Sequence, residues 1–121
     1  MYVQKFRKLT VWQRSIKFVT FIYELTSKFP HTERFGLVDQ IRRATVSIVL
    51  NIAEGSGAGS DAEFIRFLKM AQRSAYEVLA ALEIAISLKM TSVTSLQNAL
   101  LEVDELSAMI GGLIKKLKAA S

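Results

Sequence analysis

At 121 residues with no cysteine, the chain is long enough for one buried core but not two, and it has no disulfide framework or thiolate metal site. It is 50% apolar, yet no uninterrupted run approaches the roughly 20 residues that a membrane-spanning helix needs, so a soluble, cytoplasmic protein is expected. A net charge of +5 and a pI near 9.7 favour an anionic partner.

Residues 1–9 have no clear period and read as a basic arm whose Phe6 and Leu9 dock on the helices. The arm lacks the apolar run and small-residue cleavage site of a secretory signal. Thr10 with Gln13 three residues later forms a capping box, which predicts a first helix from Val11 to about Phe29, stopped by Pro30. Its apolar residues fall into two adjoining stripes, Trp12, Ile16, Val19, Tyr23 and Phe18, Ile22, Leu25, Phe29, with Phe21 beyond them. Such a wide face means either a helix wedged between two neighbours in one subunit or a surface shared between subunits.

The second helix is predicted from Gly36 to Glu54. Leu37, Ile41, Ala44, Thr45, Ile48, Val49 and Ile52 share its inward face, and Arg42 and Arg43 flank it. Val46 and Leu50 point away, where a small monomer places polar residues, so another surface is expected to cover them. Ser47, Asn51 and Glu54 line a third flank at helical spacing and read as a structural hydrogen-bonding set. Three glycines within 55–59 end the helix and turn the chain. Ser60 with Glu63 makes a second capping box that starts the third helix at Asp61.

That helix is expected to reach Lys89, with Phe64, Phe67, Leu68, Ala71, Ala75, Val78, Leu82 and Ile86 inward. Its other side begins as a cationic stripe, Arg66, Lys69 and Arg73, and continues apolar through Ala80 and Ile84. A fourth helix follows from Val93 or Leu96 to Lys118, burying Leu96, Leu100, Val103, Leu106, Ile110, Leu113, Ile114 and Leu117. Gly111 and Gly112 weaken it by about 1 kcal/mol each relative to alanine, or else permit a close helix approach. Early acids and late lysines suit its dipole. Four helices with short connections predict an all-α, antiparallel up-and-down four-helix bundle.

Catalytic chemistry finds little support. His31 is the single histidine, in a connection beside Pro30, without a second histidine to share a metal. The glycine-rich linker lacks the Gly-Lys-Ser/Thr ending of a phosphate loop, and Asp61 and Glu63 would repel a phosphate there. No histidine or lysine nucleophile accompanies Ser47, Asn51 and Glu54. The expectation is a non-enzymatic protein with no cofactor or metal. The cations are the remaining chemistry. Residues 1–43 hold nine Lys or Arg against three acids, and the remainder seven against eight, so the excess belongs to the N-terminal third. Lys5, Arg7, Lys8, Arg14, Lys17, Arg42, Arg43, Arg66, Lys69 and Arg73 are the candidates for phosphate contact, arginines favoured for bidentate geometry. The competing reading is that they solvate the surface or pair with acids such as Asp39 and Glu77.

The run Asn51-Ile52-Ala53-Glu54-Gly55, preceded by Gln40-Ile41-Arg42-Arg43-Ala44, Phe29-Pro30 and Glu33-Arg34-Phe35-Gly36-Leu37, carries a resemblance. With Leu9-Thr10-Val11-Trp12-Gln13 and Phe64-Ile65-Arg66-Phe67-Leu68, it is similar to a four-helix-bundle family with two known groups. These are the proteins encoded in intervening sequences of bacterial large-subunit ribosomal RNA genes and the accessory variability proteins of diversity-generating retroelements. The resemblance implies a homo-oligomer, a pentamer, in which Asn51, Glu54 and Gly55 are a structural motif. For retroelement members it implies binding to nucleic acid and to a reverse transcriptase. Ala58 stands where relatives often carry arginine and Arg73 where they often carry glycine, which displaces the basic surface. Assembly would multiply the charge, to +25 for five copies of +5. The expected subunit contacts are Phe21, Val46, Leu50, Ala80 and Ile84. The alternative is an oligomeric protein-interaction scaffold that binds no nucleic acid.

Overall fold

The computed structural model describes residues 5–120; the first four residues of the basic arm lie outside that range. A 3₁₀ turn over Lys5–Lys8 leads into α1 (Thr10–Thr26), and a second over His31–Glu33 leads into α2 (Leu37–Ser56). Helices α3 (Asp61–Ser87) and α4 (Val93–Ala120) complete the order. Among the described residues each helix packs on its two neighbours around the ring, α1 on α2 and α4, α3 on α2 and α4, with no diagonal pairing. This is the antiparallel up-and-down four-helix bundle that the hydrophobic period predicts. Phe18, Ile22, Ile48, Leu68, Leu82 and Leu106 are among the side chains fully enclosed at its centre. Each contributes about 1.5–3 kcal/mol relative to exposure.

The helix ends differ from expectation in ways that have local causes. Thr10 is the first residue of α1, not its cap, and Leu9 occupies the cap position in extended conformation. Gln13 Nε2 donates to the Arg7 carbonyl at 2.8 Å, because the 3₁₀ turn folds that carbonyl back over the first turn. Phe6 meets Trp12 edge-on with ring centroids 4.8 Å apart, and Leu9 packs against the core, so the arm docks as its apolar residues predict. At the other end α1 stops a turn short of Phe29. The N–H groups of Lys28 and Phe29 bond three residues back, to Leu25 and Thr26, and this tightening turns Phe29 into the core ahead of Pro30.

The inward face of α1 is Val11, Ser15, Phe18, Ile22, Leu25 and Thr26. The Ser15 and Thr26 hydroxyls donate to the Trp12 and Ile22 carbonyls of their own helix, which lets them be buried. The stripe Trp12, Ile16, Val19, Tyr23 is not core: Ile16 and Tyr23 are exposed, and the other two are only half-buried. All seven predicted inward residues of α2 are buried.

Gly55 is a correction. It lies inside α2 and is buried, where a Cβ would stand 2.7 Å from Phe67 Cβ and 2.9 Å from Phe64 Cδ1. Its missing side chain serves the contact between helices, and Gly59, at φ +89°, makes the turn. The second capping box is half formed. Ser60 Oγ accepts from the Glu63 N–H at 3.2 Å, but the Glu63 carboxylate turns to Arg66. Helix α3 ends in a Schellman motif, with Met90 N–H on the Ala85 carbonyl and Lys89 N–H on that of Ile86; Lys89 takes the left-handed conformation at φ +55°. Of the α4 glycines, a Cβ at Gly111 would meet Gln72 Nε2 at 3.2 Å, whereas Gly112 faces open space.

Candidate nucleic-acid interface

The outward ridge of α2 is the most elaborated surface. An open groove of about 650 Å³ runs along it, lined by Tyr23 of α1 and, on α2, by Arg42, Arg43, Val46, Ser47, Leu50 and Asn51 together with the carboxylates Asp39 and Glu54. Arg42 sits across the α1–α2 seam. Its Nε donates to Thr26 Oγ1 at 2.9 Å, a terminal nitrogen donates to the Tyr23 carbonyl at 3.2 Å, and the guanidinium lies 4.4 Å from the Tyr23 ring centroid. It thus completes the carbonyl end of α1, where a cation is favoured by the helix dipole. On the other side Ser74 Oγ donates to Ser47 Oγ at 2.9 Å, and Asn51 Nδ2 donates to the same oxygen at 3.0 Å and to the Ser47 carbonyl. The Ser74–Ser47 bond ties α3 to α2, and the Asn51 bonds, within α2, hold Ser47 in place for it. Glu54, expected in the same set, is exposed and takes no part in these bonds among the described residues.

The ten predicted phosphate contacts do not form one field. Arg14 faces α4, where its Nε and Nη2 donate to Glu102 Oε1 and Oε2 at 3.2 and 2.9 Å and Glu105 stands at 3.7 Å. Arg66 pairs with Glu63 at 3.0 Å and covers the Phe67 ring at 4.6 Å. That hydrogen bond, reinforced by the opposite charge, holds the Glu63 carboxyl below its ordinary range and raises Arg66. Arg43 approaches Asp39 at 4.0 Å in an exposed pair of little strength. Lys5, Arg7, Lys8, Lys17, Lys69 and Arg73 are exposed, and among the described residues none of them forms a salt bridge.

The N-terminal excess of charge divides between the two ends of the bundle. Lys5 lines a small groove with Gly55, Gly59 and Asp61, so the arm cations lie where α2 turns into α3. Arg42 and Arg43 lie near the opposite end, about 20 Å away along α2. The antiparallel topology separates what the sequence places together.

The expected subunit contacts also fall on separate flanks. Leu50 is 54% exposed and Val46 half-buried, beside the exposed Ile16 and Tyr23 of α1. Phe21 is half-buried and lies on the α4 side, since it shares a face with Arg14 seven residues earlier. Ala80 and Ile84 lie exposed on α3, with Tyr76 and Leu88 extending the line.

One cluster escaped the sequence reading because it sits in the short α1–α2 connection, which has no period to interpret. Phe35 is 87% exposed, with the Arg34 guanidinium carbon 5.3 Å from its ring centroid. Phe35 itself lines a groove with Asp39, Arg43 and Glu77. The preceding residue, Arg34, lines a separate groove of about 280 Å³ with Arg42, His31 and the hydroxyl residues Thr26 and Ser27, without a carboxylate. The available signal was an arginine–phenylalanine pair one residue before the helix, out of phase with Leu37. Among the described residues no group of three metal-ligating side chains occurs, and no helix is long and apolar enough to cross a membrane.

The fold defines the class of the molecule, an all-α four-helix bundle with charged grooves on its outer surface. The chain belongs to the 23S rRNA-intervening sequence protein family, whose model matches residues 7–112. It is similar to a crystal structure from Bacteroides thetaiotaomicron, a protein of unknown function from the S23 ribosomal protein family. The two are 27% identical with a TM-score of 0.82, over 88% of this chain and 99% of that one. No curated protein matches this chain.

Proposed function

We propose that the protein is a non-enzymatic homo-oligomer, a pentamer in the manner of the family it resembles, that binds RNA or DNA in the cytoplasm through cations gathered by assembly. The observation that carries this reading is the pairing of features on one side of the molecule. The flank of Ile16, Tyr23 and Leu50 is apolar and exposed, with Val46 half-buried between them, while Lys69 and Arg73 on α3 form no salt bridge among the described residues. Covering the first with another copy would bring several sets of the second into one field, and phosphate attraction needs no further motif. The family's link to ribosomal RNA intervening sequences favours RNA. An accessory role beside a reverse transcriptase would use the same surface.

Titration of labelled RNA and DNA at about 50 and 200 mM salt is the direct test, with affinity expected to fall steeply as salt rises. No binding at low salt, or binding indifferent to salt, sinks the reading. Light scattering on Leu50→Asp tests assembly, since an unchanged particle mass removes this flank from the contact. The second reading, a protein-interaction scaffold, is favoured by Arg14 and Arg66, whose charges are satisfied within the chain. It predicts assembly without any salt-dependent titration.

A further inference from the structure

We propose that the nucleic acid is engaged as a single strand, with one unpaired base stacked on the open face of Phe35 and a neighbouring phosphate seated between Arg34 and Arg42. This inference rests on the nucleic-acid reading above and specifies the form of its ligand. Phe35 is the most exposed large apolar side chain of the described residues, fixed in a short connection between two helices and backed by the Arg34 guanidinium. An arginine-backed ring with a free face is the geometry on which unpaired bases stack, and it tolerates any base because each has a π-face. Bases within a duplex are already stacked on both sides and cannot offer that face.

The charge distribution sets the direction of the strand. On the Arg34 side the groove presents two guanidinium groups, His31 and two hydroxyl residues. Among the described residues neither arginine forms a salt bridge, and the Arg42 bonds to Thr26 and to the Tyr23 carbonyl leave its charge unneutralised. On the other side of Phe35 the lining includes Asp39 and Glu77 together with Arg43, a mixed surface that disfavours phosphate. The phosphate therefore belongs toward α1 and the base over the ring.

The experiment uses the full chain and RNA of about 12 nucleotides, single-stranded or annealed to its complement, read by anisotropy at about 50 and 200 mM salt. The unaltered protein is expected to bind the single strand at least about tenfold more tightly than the duplex. Phe35→Ala is expected to lose about tenfold on the single strand and little on the duplex, the scale of one aromatic–base stack, and Phe35→Trp to retain binding. Arg34→Gln should weaken both forms and reduce the salt slope by about one. No binding of either form defeats the nucleic-acid reading itself. Salt-dependent binding with equal affinity for the two forms, or with no loss in Phe35→Ala, overturns the single-strand inference alone. So does a lost affinity that follows a fall in particle mass by light scattering and is not restored in Phe35→Trp, because Phe35 is then a contact between copies of the chain.

Discussion

The two seams of α2 are built on different principles. Toward α3 it is closed: Gly55 lets the helices approach until only hydrogen fits between them, and the Ser74–Ser47 hydrogen bond bridges the outer edge, with Asn51 holding Ser47 from within α2. Ala71 and Ala75 continue this close packing on α3, both fully buried. Toward α1, among the described residues, Arg42 is the one polar bridge, and Ile16, Tyr23 and Leu50 remain open to water. One seam is closed within the chain, and the other leaves large apolar side chains exposed. Small residues allow the close approach of the first; the second presents the kind of apolar patch on which the proposed assembly rests.

Four substitutions would break or sharpen that contrast. The largest effect is expected at Gly55→Ala, which forces a Cβ into contacts of 2.7 and 2.9 Å and should cost about 3 kcal/mol in denaturant unfolding. Gly57→Ala, with its nearest atoms at 3.8 Å, should be neutral or slightly stabilising. Equal costs at the two positions would show that the seam yields. Next comes Arg42→Ala, which removes two hydrogen bonds and a cation–π contact from the α1–α2 seam and should cost about 1–2 kcal/mol. Amide hydrogen exchange should localise the loosening to the last turn of α1; uniform change across the bundle would contradict a local clasp. Ser74→Ala should cost about 1 kcal/mol, because the Ser47 oxygen keeps its bond from Asn51.

The smallest effect belongs to an exposed pair away from both seams. Arg66 lowers the Glu63 carboxyl below its ordinary 4.5, so whatever the pair adds to stability is complete above about pH 4.5. It fades as the pH falls through the depressed folded value. Carbon-detected NMR titration of Glu63 should show a midpoint below 4.5 that moves upward in Arg66→Gln. An unmoved midpoint would mean the hydrogen bond does not persist in solution.

Much of the bundle was legible because burial repeats every 3.6 residues. The seven inward residues of α2 and nearly all of the core stripe of α3 follow from that period alone. The surfaces were less legible. Asn51 and Ser47 form the expected hydrogen bond one turn apart, yet its third participant is Ser74, 27 residues away from Ser47 in sequence. Arg14 reads as a free cation until Glu102, 88 positions later, is folded against it. Phe35 carries no periodic signal, so its exposure could be read only from the position of the connection between the two helices.

The amino-acid order by itself determined four helices, their approximate limits and most of the residues that leave water, because each of these depends on neighbours within two turns. Tertiary structure decided which of two adjoining stripes on α1 faces inward, since Trp12, Ile16, Val19 and Tyr23 are as apolar as the stripe that won. It also decided that Gly55 is a contact rather than a hinge, and that the basic N-terminal third is divided between opposite ends. The physical reason is common to all three: helical period selects a face, but only the approach of another helix determines what lies against it.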